Sequence, residues 1–129
     1  MSADLVIKNG WVVTAEETIK GGVAIKDEKF VALGTDDSLP SGKEEIDAKG
    51  KHILPGIIDG HVHFREPGLS HKEDFTTGST AAVCGGVTMV MDMPNVSPPT
   101  ADAEKVKEKI KIAQGKFLTD YAFFGVVVQ

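Results

Sequence analysis

The sequence has little cysteine and no long apolar run. Its single cysteine, Cys84, has no partner for an internal disulfide. No apolar stretch approaches the roughly 20 residues needed to span a bilayer. The chain also does not begin with a basic segment followed by an apolar run. These absences predict a cytoplasmic protein that neither spans a membrane nor depends on disulfides.

Clusters of basic residues interleaved with aromatics are missing as well. The chain has 14 Lys and Arg against 19 Asp and Glu, and its net charge of -5 is spread along 129 residues. This balance predicts no nucleic-acid partner. A hydrophobic content of 41% is instead typical of a globular chain.

Residues 1–52 alternate apolar and polar side chains in short runs separated by turns. The predicted strands are Leu5–Ile7, Trp11–Thr14, Val23–Lys26 and Phe30–Leu33. Asn9-Gly10 and Asp27-Glu28 supply hairpin signals, so the pattern predicts antiparallel structure. Such a sheet needs cover on its buried face. We therefore interpret residues 1–52 as the N-terminal part of a small β-sandwich domain.

Residues 53–129 show a different pattern, in which apolar runs are separated by helical stretches. The runs are Ile53–Phe64, Val87–Met93 and Thr119–Val128, as expected for strands of a parallel sheet buried on both faces. Ser70 and Glu73 have the spacing of a capping box and predict a first helix that ends near Gly85-Gly86.

Thr100 is the predicted cap of a second helix, which ends before Gly115. Its lysine-rich stretch, 105–116, predicts a solvated face with neighbour pairs Glu104–Lys107 and Glu108–Lys111.

The predicted order is βαβαβ, the repeat of a closed α/β barrel. Eight such units require roughly 250 residues, whereas two and a half are present in residues 53–129. The predicted fold class is α/β: the first units of an incomplete TIM-type (β/α)8 hydrolase barrel, preceded by part of a β-sandwich. We therefore expect this chain to be an N-terminal piece of a larger protein.

Asp59-Gly60-His61-Val62-His63 is the most informative stretch. Residues two apart on a strand point to the same face, so His61 and His63 should lie side by side. Glu66-Pro67-Gly68 favours a turn beyond them, which places the pair at the carboxyl end of the strand, where barrel enzymes carry their chemistry. Imidazole suits zinc and other transition metals. His61 and His63 are therefore candidate metal ligands.

The segment Ile53–Gly68 resembles the metal-binding signature of the dihydroorotase, allantoinase and hydantoinase group, in which His61 and His63 match two ligands of the first metal. The likeness extends along nearly the whole chain. It includes Leu5–Gly10, Gly85-Gly86-Val87-Thr88 and Met93-Pro94-Asn95.

Arg65 and Asn95 match positions that bind the substrate carboxylate in dihydroorotases. A planar guanidinium can grip a carboxylate with two parallel hydrogen bonds, and Arg65 is predicted to share the strand face of His63. Residues 120–125 look more like allantoinases or hydantoinases, so the resemblance is mixed.

The resemblance implies a metal-dependent hydrolase of a cyclic amide C–N bond, most simply a dihydroorotase, with allantoinase or hydantoinase/dihydropyrimidinase as alternatives. It further implies two zinc ions, a small-molecule substrate and a homo-oligomer when full length. The family's carboxylated lysine, further histidines and aspartate base have no counterpart in this chain, so the general base is expected outside it and the piece alone should be inactive. A non-catalytic scaffold is the alternative of another class.

Overall fold

In the computed structural model, which describes residues 2–126, the chain divides into two units between Pro55 and Gly56. From the sequence, this boundary was expected between residues 52 and 53. Each unit has its own sheet.

The N-terminal unit is a mixed sheet organised around its first strand. Its strands are β1 (Ala3–Val13), β2 (Thr18–Lys26), β3 (Lys29–Gly34), β4 (Gly42–Asp47) and β5 (His52–Ile53), with a 3-10 helix at Asp36–Ser38. The strand order is β3-β2-β1-β4, and β5 also pairs with β1. β2 is antiparallel to β1 and β3, whereas β4 and β5 run parallel to β1. The prediction of purely antiparallel structure is therefore wrong, because it missed the returning strands β4 and β5.

The Asn9-Gly10 hairpin predicted from the sequence is also wrong. Asn9 lies inside β1 with a φ of 56°, and the β1–β2 register shifts between Ile7 and Gly10. Asparagine tolerates the left-handed region better than most residues, so here it forms an irregularity within a strand instead of a reversal. The turn at Asp27-Glu28 is confirmed, with positive φ at both residues.

The buried core of the N-terminal unit is small. Ala3, Val6 and Ala24 are buried, and Ala32 and Leu39 pack against them. Several of the unit's larger apolar side chains remain exposed, with Phe30 68% exposed. The small sheet thus buries little apolar surface by itself.

The C-terminal unit alternates strands and helices in the predicted βαβαβ order. Its elements are β6 (Ile57–Val62), α1 (Phe75–Cys84), β7 (Val87–Asp92), α2 (Ala103–Ala113) and β8 (Asp120–Phe123). The three strands are parallel in the order β6-β7-β8. The last run was predicted to reach Val128, but β8 ends at Phe123, and residues 127–129 lie outside the described part of the chain.

Helix α1 begins later than predicted. Asp74 caps it, because its carboxylate accepts a hydrogen bond from the Thr77 amide at 2.8 Å, and the Thr77 hydroxyl accepts one from the Asp74 amide at 3.2 Å. Asp74 and Thr77 therefore form the capping box of α1. The capping box predicted at Ser70 and Glu73 is wrong. The helix ends at Cys84, before Gly85-Gly86, as predicted.

Helix α2 is capped by Asp102 and not by Thr100. The Asp102 carboxylate accepts from the Lys105 amide at 2.8 Å. Thr100 is buried, and its hydroxyl donates to the Pro94 carbonyl at 3.2 Å. The prediction of Thr100 as the cap is therefore wrong, and Asp102, another residue type favoured at this position, takes the role.

Aromatic side chains fill the core of the C-terminal unit. Phe64 and Phe75 are buried with Val90 and Ala113. Phe117 packs against both phenylalanines, with ring centroids 5.9 and 4.8 Å away. The residue that follows His63 is thus anchored in the core. Neither helix within residues 2–126 has the length and apolar character that a membrane crossing requires.

Candidate active site

His61 and His63 lie where β6 ends. His61 belongs to the strand and is exposed, whereas His63 follows its last residue, Val62, and is half-buried. The two ring centroids are 5.1 Å apart, with the ring planes at 66°. The structure therefore brings the two predicted ligands side by side at the carboxyl end of the first strand of the parallel sheet.

The backbone before this pair is held by a local hydrogen bond. The Asp59 carboxylate accepts from the His61 amide at 3.1 Å. The β6–β7 register also shifts between Asp59 and Val62, so the strand is irregular where the histidines begin. Such irregularities re-aim side chains and are common beside active sites.

Asn95 contacts His63 directly. Its Oδ1 lies 2.7 Å from His63 Nδ1. An amide oxygen can only accept, so Nδ1 is the donor in this contact and Nε2 is the ring nitrogen that is not used by Asn95. Holding one ring nitrogen so that the other can bind a metal is the usual arrangement around metal-ligating histidines. Asn95 was expected from the sequence to bind a substrate carboxylate, and its amide nitrogen is the group that could do so.

Arg65 lies beyond the strand and does not share its alternation. β6 ends at Val62, and Arg65 has a φ of 62°, in the left-handed region. The expectation that it follows His63 on one strand face is therefore wrong, because the backbone has already turned. Its carbonyl accepts from the Leu69 amide at 3.0 Å, which closes a turn after the histidines. A role in binding the substrate remains a prediction.

The two histidines could hold a metal ion only together with further ligands. Among residues 2–126, no group of three or more His, Cys, Asp or Glu side chains converges as a metal site would require. A catalytic zinc normally has three protein ligands and one open position. Two adjacent imidazoles fit a transition metal in chemistry, and we call His61 and His63 the candidate metal half-site.

A buried ion pair next to this half-site was missed by the sequence analysis. Lys109 Nζ lies 2.8 Å from Asp92 Oδ2, and the two side chains are 1% and 0% exposed. Lys109 was predicted to lie on a solvated helix face, which is wrong. It follows Val106 and precedes Ala113 at helical spacing, and this position within an apolar stripe was the available signal.

The other charged pairs of α2 lie at its surface. The predicted pair Glu104–Lys107 forms at 3.1 Å. The predicted pair Glu108–Lys111 is wrong, because Glu108 pairs instead with Lys105 at 2.8 Å. The solvent-exposed face of α2 thus carries these ion pairs, while the Lys109 side chain points into the interior of the C-terminal unit.

Glu66 is a second buried charge without a sequence signal. It is 8% exposed and accepts from the Phe75 amide at 3.0 Å, at the start of α1. Its other oxygen pairs with Lys116, from the segment between α2 and β8. Glu66 therefore ties the turn after the histidines to two other segments of the unit.

Comparison with known proteins gives consistent matches. Residues 52–123 match the sequence model of the amidohydrolase family. The chain is 46% identical over 124 residues to an allantoinase of Desulfitobacterium hafniense, covering 95% of this chain and 27% of the relative. It is 42% identical over 129 residues to an allantoinase of Escherichia coli, covering 99% of this chain and 28% of the relative.

Solved structures match over the same length. An L-hydantoinase (dihydropyrimidinase) from Arthrobacter aurescens has 32% identity and a TM-score of 0.87, covering 95% of this chain and 28% of that one. A D-hydantoinase (dihydropyrimidinase) from Thermus sp. has 35% identity and a TM-score of 0.75, covering 94% and 27%. The chain spans about a quarter of these relatives, at their N-terminal part. The predicted fold class and the predicted group are confirmed.

Proposed function

This chain belongs to the amidohydrolase family, and from that premise we propose that the whole protein hydrolyses the C–N bond of a cyclic amide, with His61 and His63 among its metal ligands. The amidohydrolase family is generally metal-dependent. The two allantoinases and two hydantoinases that resemble the chain are hydrolytic enzymes.

The observation that carries this proposal is the pairing of the two imidazoles with Asn95. The rings lie 5.1 Å apart, and Asn95 Oδ1 lies 2.7 Å from His63 Nδ1, where it can accept a hydrogen bond from the ring. His63 Nε2 is thereby left as the nitrogen able to bind a metal. A non-catalytic scaffold would have no use for this arrangement.

Zinc is the proposed metal, with two ions in the whole protein. His61 and His63 would hold one of them, together with ligands outside this chain. When bound, a metal ion supplies Lewis-acid activation of both water and the amide carbonyl. His61 and His63 would then be the first two ligands, and Asn95 would orient the imidazole ring of His63.

Allantoin is the first substrate to test, because the curated relatives reported above are allantoinases. Dihydroorotate is a second candidate. Arg65 supports it, since a guanidinium in the turn after His63 could bind the carboxylate that dihydroorotate carries. A hydantoin belongs in the same panel because the similar solved structures are hydantoinases.

The experiment measures the hydrolysis of allantoin, hydantoin and dihydroorotate by the full-length protein loaded with zinc. The matched control is His61→Asn/His63→Asn, with His71→Asn as a histidine change away from the half-site. We expect turnover of at least one ring by the unmodified and His71→Asn proteins, and none by the double variant. A zinc-loaded protein inert toward all three rings would contradict the proposal and favour the scaffold reading.

A further inference from the structure

Lys109 and Asp92 form a buried ion pair in which Lys109 also contacts a backbone carbonyl and an aromatic ring. Lys109 Nζ lies 2.8 Å from Asp92 Oδ2, donates to the Met93 carbonyl at 2.9 Å, and sits 4.9 Å from the ring centroid of Phe123. Burying two charges is costly, and such pairs are often no better for stability than apolar side chains of the same volume. Stability alone therefore does not explain why these two charges are buried, whereas a role in positioning the neighbouring backbone would.

Each partner holds one of the two segments that meet at the half-site. Asp92 Oδ1 accepts from the Phe64 amide at 2.9 Å, one residue after His63. Lys109 holds the Met93 carbonyl, two residues before Asn95. The ion pair therefore links the backbone on both sides of the contact between His63 and Asn95.

We propose that the Lys109–Asp92 pair is a positioning device for the metal half-site, which keeps the segment carrying His63 and the segment carrying Asn95 in register. Neither residue touches the reacting atoms. Their effect passes through the Phe64 amide and the Met93 carbonyl to the orientation of the His63 ring. This inference rests on the proposed function, because it assigns the pair a purpose only if His63 binds a metal.

Two double variants of the full-length protein separate positioning from plain stability. Asp92→Leu/Lys109→Met removes both charges and both backbone contacts. Keeping apolar volume offsets the loss of the ion pair, but the Phe64 amide and the Met93 carbonyl lose their partners, so a lower free energy of unfolding is expected. Asp92→Asn/Lys109→Met keeps an oxygen that can accept from the Phe64 amide but loses the donor to Met93. The surface double change Lys105→Met/Glu108→Gln, on the same helix, is the matched control.

Three quantities are measured for each protein: the free energy of unfolding, the cobalt(II) affinity from the ligand-field absorption, and the hydrogen exchange of the Phe64 amide. We expect Asp92→Leu/Lys109→Met to bind cobalt about tenfold more weakly, at the lower end of the effects of residues that support metal ligands. Its Phe64 amide should exchange faster. Asp92→Asn/Lys109→Met should lose less affinity, and the surface control none.

Unchanged cobalt affinity in both folded double variants would overturn the inference, even if stability falls. If the Asp92→Leu/Lys109→Met protein does not fold, Asp92→Asn/Lys109→Met decides on the same criterion. An unmodified protein that binds no cobalt would instead overturn the proposed function. The exchange rate of the Phe64 amide in Asp92→Asn/Lys109→Met, which keeps an acceptor for that amide, would then decide whether the pair fixes this segment.

Discussion

Asn95 Oδ1 lies 2.7 Å from His63 Nδ1, although the two residues are 32 positions apart in the chain. The contact joins the segments that follow two neighbouring parallel strands, β6 and β7. It also occupies Nδ1 of His63 with the amide oxygen, so Nε2 is the nitrogen that could bind a metal.

Replacing Asn95 should therefore weaken metal binding without removing a ligand. We expect Asn95→Leu to lower the zinc affinity of the full-length protein by about 10–100-fold, as is usual when the partner of a ligating histidine is lost. Asn95→Asp keeps an oxygen acceptor and should lose less. Competition with a chromophoric chelator measures both. Equal affinities for Asn95→Leu and the unmodified protein would show that the contact does not orient His63.

Arg65→Gln tests the choice of substrate. If Arg65 grips a carboxylate, the KM for dihydroorotate should rise roughly 10–100-fold, since a hydrogen bond to a charged group contributes about 1.5–3 kcal/mol. Allantoin has no carboxylate, so its kinetics should change little. Lys72→Gln, an exposed change in the same connection, is the control. Equal losses for both substrates would rule out selective recognition of the carboxylate.

Gly78 allows α1 to approach the end of β6. A Cβ at this position would lie 2.6 Å from the Phe64 ring. Gly78→Ala should therefore lower the free energy of unfolding by about 1–3 kcal/mol through overpacking, although alanine is favoured in helices by about 1 kcal/mol. Gly85→Ala, whose nearest contact would be 3.4 Å away, should stay within about 0.5 kcal/mol. Chemical denaturation measures both, and equal effects would contradict the packing argument.

Asp74 should make the stability of α1 depend on pH. The backbone amide of Thr77, and then its hydroxyl, lower the pKa of the Asp74 carboxyl below its ordinary value of 3.8. The charged form is favoured in the folded state, so its contribution is complete above pH 3.8 and is lost as the pH falls through the lower folded pKa.

The matched change is Asp74→Asn, which keeps a good cap but does not titrate. We expect the free energy of unfolding of the Asp74→Asn protein to fall less steeply below about pH 4 than that of the unmodified protein. Denaturant titrations from neutral to acidic pH give both curves. Parallel curves would mean that the Asp74 cap does not contribute through its charge.

In the C-terminal unit, the sequence predicted the strands and helices better than it predicted the helix caps and the buried charged residues. Apolar runs and glycine pairs locate β7 and the end of α1, because burial and backbone freedom are local signals. The caps were misassigned because Ser70 and Thr100 suit a cap chemically, and only tertiary packing decides that Asp74 and Asp102 take the role.

The same distinction between local signals and tertiary packing holds for the candidate site. The spacing of His61 and His63 predicted adjacent imidazoles because strand alternation is local. The pairing of Lys109 with Asp92 could not be predicted from local pattern, since it depends on how α2 packs on β7 across 17 positions of the chain. The parallel return of β4 and β5 to β1 likewise depends on pairing between distant residues, which no local pattern specifies.

The most direct test of the account is the anomalous diffraction of crystals of the full-length protein, measured at the absorption edge of bound zinc. If His61 and His63 are metal ligands, we expect an anomalous peak for zinc about 2.0–2.1 Å from His63 Nε2. The same zinc ion should also bind His61, and Asn95 Oδ1 should still contact His63 Nδ1. A zinc ion bound elsewhere, with both imidazoles free of metal, would contradict it.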